Sequence, residues 1–173
     1  MEEKLRVLPS FQKEIKVICA SVGEEIYGIG IEYLEEVIKL SDDILYVHSD
    51  IKYLKGLIYI RGEIVPIFDL LSFFEIGEIK EQVSKKLGII VRALKDVSPI
   101  CLIADNVFIE TISPNSISEP PKVGIKFREI IIGRVNTPRG SITLIDPRKI
   151  LERHREISGI KEEVEWINLR KSL

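Results

Sequence analysis

The raw material of catalysis is scarce in this chain, which has two cysteines, two histidines, one tryptophan and one methionine among 173 residues. His48 and His154 stand far apart, and no cysteine or carboxylate pair lies at metal-ligand spacing, so no metal site is expected. Cys19 and Cys101 each sit in an apolar strand-like run without a CxxC spacing, which predicts small buried hydrophobes rather than ligands or a disulfide. There is no G-x-S-x-G, no Walker loop and no dinucleotide-binding glycine fingerprint, so the usual nucleophile and phosphate sites are missing and neither a catalytic centre nor a cofactor is expected. Glu35-Glu36 and Asp42-Asp43 are adjacent rather than convergent, which is the pattern of solvated surface. The formal net charge is −2, with basic residues interspersed among acidic ones, so a nucleic-acid partner is excluded on electrostatic grounds. No apolar run approaches the roughly 18 residues of a membrane span, and the start, Met1 to Arg6, is charged rather than signal-like. A cytoplasmic protein with no direct membrane insertion is expected.

What is present is the material of short strands. Hydrophobic residues make up 45% and charged residues 30%, a globular balance that leaves no room for a long disordered segment. Ile15 to Val22 and Ile26 to Ile31 flank Gly23-Glu24-Glu25 and read as a hairpin. In Leu34 to Leu40 the pattern fits helix and strand equally well. Leu57 to Ile60 and Glu63 to Phe68 flank Arg61-Gly62, where glycine supplies the positive φ of a tight hairpin. Pro66 has no amide donor and belongs on an edge strand or a bulge. Asp69 caps a short turn through Leu70 to Phe74. Further strands are expected at Leu87 to Leu94, Ile100 to Ala104, Val107 to Ile112, Ile130 to Asn136 and Ile142 to Ile145, after which Asp146-Pro147 starts a helix.

The segment from Arg61 to Asp69 and the segment from Arg139 to Asp146 share a plan: Arg-Gly hairpin, apolar strand, aspartate, then turn or helix. Their separation of about 78 residues is too long for a solenoid and suggests two similar small β-domains. Short strands with Gly and Pro turns independently favour all-β barrels over a parallel α/β sheet.

The run Lys55-Gly56-Leu57-Ile58-Tyr59-Ile60-Arg61-Gly62-Glu63-Ile64-Val65-Pro66-Ile67-Phe68-Asp69-Leu70 resembles the signature segment of the CheW coupling-protein family. Tyr27-Gly28-Ile29 and the strand Ile100 to Asp105 resemble two further family segments, so the similarity runs from about Ile15 to Leu151. The resemblance implies an all-β fold of two Src-homology-like five-stranded β-barrel subdomains, with short helices and a C-terminal α-helix. The expected organisation is an N-terminal arm over 1–14, a CheW-like domain over 15–151 and a C-terminal helical extension over 152–173. Within the domain the subdomains would occupy about 15–80 and 87–146, with strands free to cross over. The implied function is chemotaxis signal transduction by a non-enzymatic adaptor that docks a CheA-type histidine kinase and the cytoplasmic tip of methyl-accepting chemotaxis receptors. Tyr59 stands where the family usually has asparagine, and Gly30 replaces a frequent aspartate. Cys101 and Asn106 occupy positions often held by glycine. Those departures suit a specialised paralogue, such as an adaptor for a pilus or surface-motility pathway. A small β-barrel enzyme binding a ligand between its lobes is the remote alternative.

For an adaptor the candidate residues are exposed anchors on rigid strands. Arg61 leads, because a hairpin tip requires a glycine but does not require arginine, whose planar fork holds two oxygens at once. Its alternative role is to brace its own fold. By the resemblance, Arg61, with Gly62 and Gly56, lies in the kinase and receptor contact region, and Leu34, Glu35, Glu36 and Ile38 lie on a receptor-binding face. Leu34 and Ile38 serve equally well as core. Ile89, Leu102 and Ile103 are possible contributors from the second half, with core as their other reading. On the terminal helix Trp166 is a further possible anchor.

Overall fold

The computed structural model describes residues 13–120 and 125–158. Ten strands form its framework: β1 (Ile15–Val22), β2 (Glu25–Gly30), β3 (Leu34–Lys39), β4 (Leu54–Ile60), β5 (Glu63–Phe68), β6 (Leu87–Val91), β7 (Ile100–Ala104), β8 (Asn106–Ile112), β9 (Ile131–Thr137) and β10 (Gly140–Ile145). A one-turn helix α1 (Leu70–Phe73) follows β5, and helix α2, residues 147–158, follows β10. The all-β expectation holds, with the strands divided between two five-stranded sheets. Most of the arm expected over 1–14, the chain beyond residue 158 and Trp166 lie outside the described residues.

Local chemistry accounts for the hairpins. Gly23, at φ 58°, turns β1 into β2. In the β4–β5 hairpin Ile60 pairs with Glu63, and both residues between them have positive φ, 48° at Arg61 and 82° at Gly62, which is a type I′ turn. The segment after Gly30, open between helix and strand in the sequence, is strand β3. Leu34, Glu36 and Ile38 are half-buried while Glu35, Val37 and Lys39 are exposed, a period of two that β-branched Val37 and Ile38 favour. Asp69 and Asp146 cap α1 and α2 as expected, each accepting from backbone amides of the first turn.

The sheet orders are β8-β1-β2-β10-β9 and β3-β6-β7-β5-β4. Each has one parallel pair in the same place, β2 with β10 and β7 with β5. Matching positions therefore pair β1 with β6, β2 with β7, β3 with β8, β4 with β9 and β5 with β10, a tandem repeat of five strands. The repeats exchange strands: β1 and β2 join β8 to β10, while β6 and β7 join β3 to β5. The division at 15–80 and 87–146 thus follows the sequence repeat and not the sheets. One lobe is built from β3 to β7, and the other from β1, β2, β8, β9 and β10. Pro66 sits inside the sheet order on β5, yet β5 pairs with β7 only at Ile67 and Phe68. Pro66 therefore has a neighbour strand on one side only, which is what its missing amide requires.

Side-chain alternation in the central strands builds three cores. From β1, Ile18, Ala20 and Val22 enter a core shared by both sheets, whereas Val17 and Cys19 enter a core of their own lobe. From β7, Ile100, Leu102 and Ala104 face the shared core, and Cys101 and Ile103 face the core of the other lobe. Ile150 and Leu151 of α2 also lie in the shared core. This arrangement corrects one group of candidates. Ile89 and Leu102 are fully buried between the lobes and Ile103 is fully buried within one, so none of the three offers a surface. Where the two sheets meet, packed side chains of the shared core fill the space that a ligand cleft between the lobes, the remote alternative, would need.

Candidate functional site

The β4–β5 hairpin carries an arginine at its tip and exposed apolar residues on its outer face. A type I′ turn favours Asn, Asp or Gly at its first central position, because an L side chain there costs about 1 kcal/mol. Arg61 occupies that position, so the backbone does not explain it and the side chain must. The Arg61 side chain is 74% exposed, and its ion-pair partner is Glu36 on β3, at 3.2 Å. A pair with so exposed an arginine contributes between nothing and about 1 kcal/mol, and it engages one guanidinium nitrogen, Nη2.

The corresponding hairpin of the other lobe shows what a purely bracing arginine looks like. Arg139 at the β9–β10 tip lies 3.7 Å from Glu110 on β8, the counterpart of β3. Its guanidinium also sits 4.4 Å above the Phe108 ring, so stacking and charge both tie it to its own lobe. Arg61 keeps the carboxylate partner and has no such ring contact among the described residues.

Beneath Arg61 lies a second ionic layer centred on Arg92, just after β6. Its guanidinium donates to Glu63 on β5 at 2.7 Å, to the Val97 carbonyl at 2.7 Å, and to Glu35 on β3. The hydrogen bond from Arg92 holds the Glu63 carboxyl below the usual range, and the Arg92 pKa is raised by Glu63 and then Glu35. β3 and β4 are the two ends of the sheet order. Arg92 and Arg61 thus fasten one end strand to the hairpin of the other.

An apolar face adjoins this charged end. On β4 and β5, Ile58, Val65 and Ile67 point into the lobe core, so Tyr59 and Ile64, partners across the hairpin, point outward, 75% and 61% exposed. Leu45 bridges to Leu57 on the outer edge of β4 through two backbone hydrogen bonds of 2.9 and 2.8 Å. Exposed Leu45 thereby joins the face, and exposed Tyr46 and Val47 follow it in the chain. The outward residues of β9 and β10 are Ile132, Arg134, Asn136 and Ser141, so the matching surface of the other lobe is mostly polar. An exposed apolar face on an edge hairpin, flanked by charge, has the composition from which attachment surfaces are built.

Arg61, Gly62, Glu35 and Glu36 therefore come together at one end of one lobe. Gly62 supplies the turn. Gly56 is buried and acts indirectly: a Cβ there would lie 2.7 Å from Ile44 Cγ2 and 2.9 Å from the Leu45 carbonyl, so the glycine admits the segment that carries Leu45 to Val47. Leu34 and Ile38 are half-buried against the cores, while the outward apolar residue of β3 is Val37. The sequence reading missed Tyr59 and Ile64 as surface, because Leu57 to Ile60 and Glu63 to Phe68 are apolar on both faces and alternation alone cannot say which face is inside. It also missed Arg92, a lone arginine after a strand with no motif around it. The Cys19 and Cys101 thiols are buried, and burial pushes both up to about 12, so neither is a nucleophile near neutral pH.

Comparison with known proteins agrees with this geometry. A CheW-like domain is matched over residues 16–155. The chemotaxis protein CheW of Treponema pallidum (strain Nichols) is 28% identical over 142 residues, covering 80% of this chain and 82% of that protein. The CheW of Thermotoga maritima is 29% identical over 148 residues, covering 86% of this chain and 95% of that protein. Among solved structures, the scaffolding protein TtCheW from Thermoanaerobacter tengcongensis superposes with a TM-score of 0.65 at 30% identity, covering 77% of this chain and 89% of that one. Ten strands exchanged between two sheets, a hairpin surface suited to attachment and a match across most of the chain converge on one assignment: the protein belongs to the CheW-like family of chemotaxis scaffold proteins, which are not enzymes.

Proposed function

We propose that the protein couples a CheA-type histidine kinase to methyl-accepting chemotaxis receptors, working in the cytoplasm and recruited to membrane-associated receptor arrays. The observation that carries this reading is Arg61, held at a positive φ that its side chain does not favour, exposed, and set beside the apolar face of Tyr59 and Ile64. Such a surface offers an aromatic anchor, an aliphatic neighbour and an arginine fork in one place, the combination that dominates interface energies. A helical bundle or a second β-lobe edged with carboxylates or carbonyls is the chemistry it fits. The product of such a protein is a coupling free energy between two partners.

The test is co-sedimentation with receptor-containing membranes and the cognate kinase. The wild-type protein at micromolar concentration should be retained with both, and Arg61→Glu should be retained poorly while keeping its circular dichroism spectrum. No retention of either partner by the wild-type protein rejects the proposal. If Arg61→Glu unfolds the chain, the bracing role of the arginine prevails.

A further inference from the structure

The chain passes between the two sheets twice. The first passage, β2 to β3, uses a 3-10 turn, Ile31–Tyr33, with no side-chain cap. The second, β7 to β8, uses a single residue, Asp105. On one side Ala104 still pairs with Leu87, and on the other Asn106 already pairs with Ser21. The Asp105 amide donates to the Ser21 carbonyl at 2.7 Å. One carboxylate oxygen accepts the Gly23 amide at 2.8 Å, in the β1–β2 turn of one lobe. The other accepts from Lys86 Nζ, at the start of β6 in the other lobe. Lys86 is held in turn by Glu81 at 3.2 Å.

We infer that Asp105 is a positioning residue for the scaffold, its carboxylate clamping the two lobes in a fixed relation at the point where the chain crosses between them. The shared core holds the lobes together, but hydrophobic burial carries no directional preference of its own. Hydrogen bonds have narrow geometry, and here two of them reach from one carboxylate into different sheets. Burial by itself would raise the Asp105 pKa, yet the Lys86 ammonium and the Gly23 amide hold it below the usual carboxylate range, so the clamp is charged at neutral pH. A scaffold without chemistry transmits a partner's movement only if its two lobes do not move independently. That consequence rests on the proposed coupling function, whereas the clamp itself does not.

The experiment places nitroxide labels at Lys39→Cys on β3 and Asn136→Cys on β9, one per lobe and both exposed; the native thiols, buried and pushed up to about 12, do not compete. Dipolar electron resonance should give one narrow distance in the labelled parent, a broadened or shifted distribution with Asp105→Ala, and a smaller change with Asp105→Asn, which keeps an oxygen for Gly23 but loses the charge for Lys86. Lys86→Met repeats the measurement should Asp105→Ala fail to fold. Unchanged distributions in Asp105→Asn and Lys86→Met overturn the clamp. A second arm reads kinase and receptor retention, expected to fall about fivefold or more with Asp105→Asn. If the parent itself retains neither partner, the coupling function fails while the distance arm still decides the clamp.

Discussion

Asp69 and Asp146 occupy the same place in the two repeats, and both are claimed by backbone amides. Asp69 is fully buried and accepts from Leu71, Ser72 and Ile79 amides at 2.9, 3.4 and 2.9 Å, with Lys55 at 4.0 Å. The aspartate of the signature segment is therefore structural, and Asp69→Ala should cost about 2–3 kcal/mol, read by urea unfolding. His154 is a second residue with a measurable consequence. Its Nδ1 is 2.9 Å from the Tyr53 hydroxyl and its ring packs on Phe68 at 4.8 Å. Burial lowers its pKa, so below about pH 6.5 the unfolded chain binds a proton before the folded one does. Stability is fully present above that pH and declines as pH falls through the folded pKa. Comparing unfolding midpoints at neutral and mildly acidic pH should show this decline in the wild type and a flatter dependence in His154→Gln. An equally steep dependence in the variant assigns the effect elsewhere. Asp105, Glu63 and Asp146, whose pKa values are also lowered, lose their contribution only at more acid pH, below the carboxylate range.

The β4–β5 hairpin is where one element serves two purposes. Its inner face, Ile58, Val65 and Ile67, is core, and its outer face, Tyr59 and Ile64, is surface, so substitutions on the two faces should separate cleanly. Ile67→Ala is expected to destabilise by about 2–5 kcal/mol through the cavity it leaves. Tyr59→Ser and Ile64→Ser should change stability by about 1 kcal/mol or less, since little burial is lost, and yet weaken kinase or receptor retention. Thermal melts with parallel co-sedimentation distinguish the two classes, and a large loss of stability from Tyr59→Ser would place that ring in the core. Much of this element was legible in the sequence: Arg61-Gly62 specified the turn and Asp69 the cap, whereas Pro66, read as an edge or bulge residue, stands on a strand inside the sheet order that is locally unpaired on one side. The outward face was not legible, because an apolar residue reads the same on either side of a strand until the rest of the sheet is in place. The strand nature of β3 stayed open for a related reason: Leu34, Val37 and Ile38 satisfy a helical spacing, whereas in the strand Leu34 and Ile38 face inward and Val37 faces outward.

At the scale of the molecule, the repeat was visible in two Arg-Gly hairpins, but the exchange of strands between repeats depends on which edges pair, and no local signal encodes that. The exchange makes each sheet depend on both halves of the chain, and the shared core binds the sheets together. A single cooperative unfolding transition is therefore expected, and two separate transitions in calorimetry would show that the lobes fold independently. Once folded, the two lobes differ in surface although they share one plan, since Arg139 is tied to Phe108 and Glu110 while Arg61, paired only with Glu36 among the described residues, stands exposed beside Tyr59 and Ile64. The most direct measurement is kinase retention on receptor-containing membranes by the wild type and by Arg61→Asn. Asparagine suits the type I′ turn better than arginine does, so the hairpin stays folded while the guanidinium is lost. The account predicts an unchanged or higher melting temperature together with retention reduced about tenfold. Retention equal to that of the wild type would contradict it.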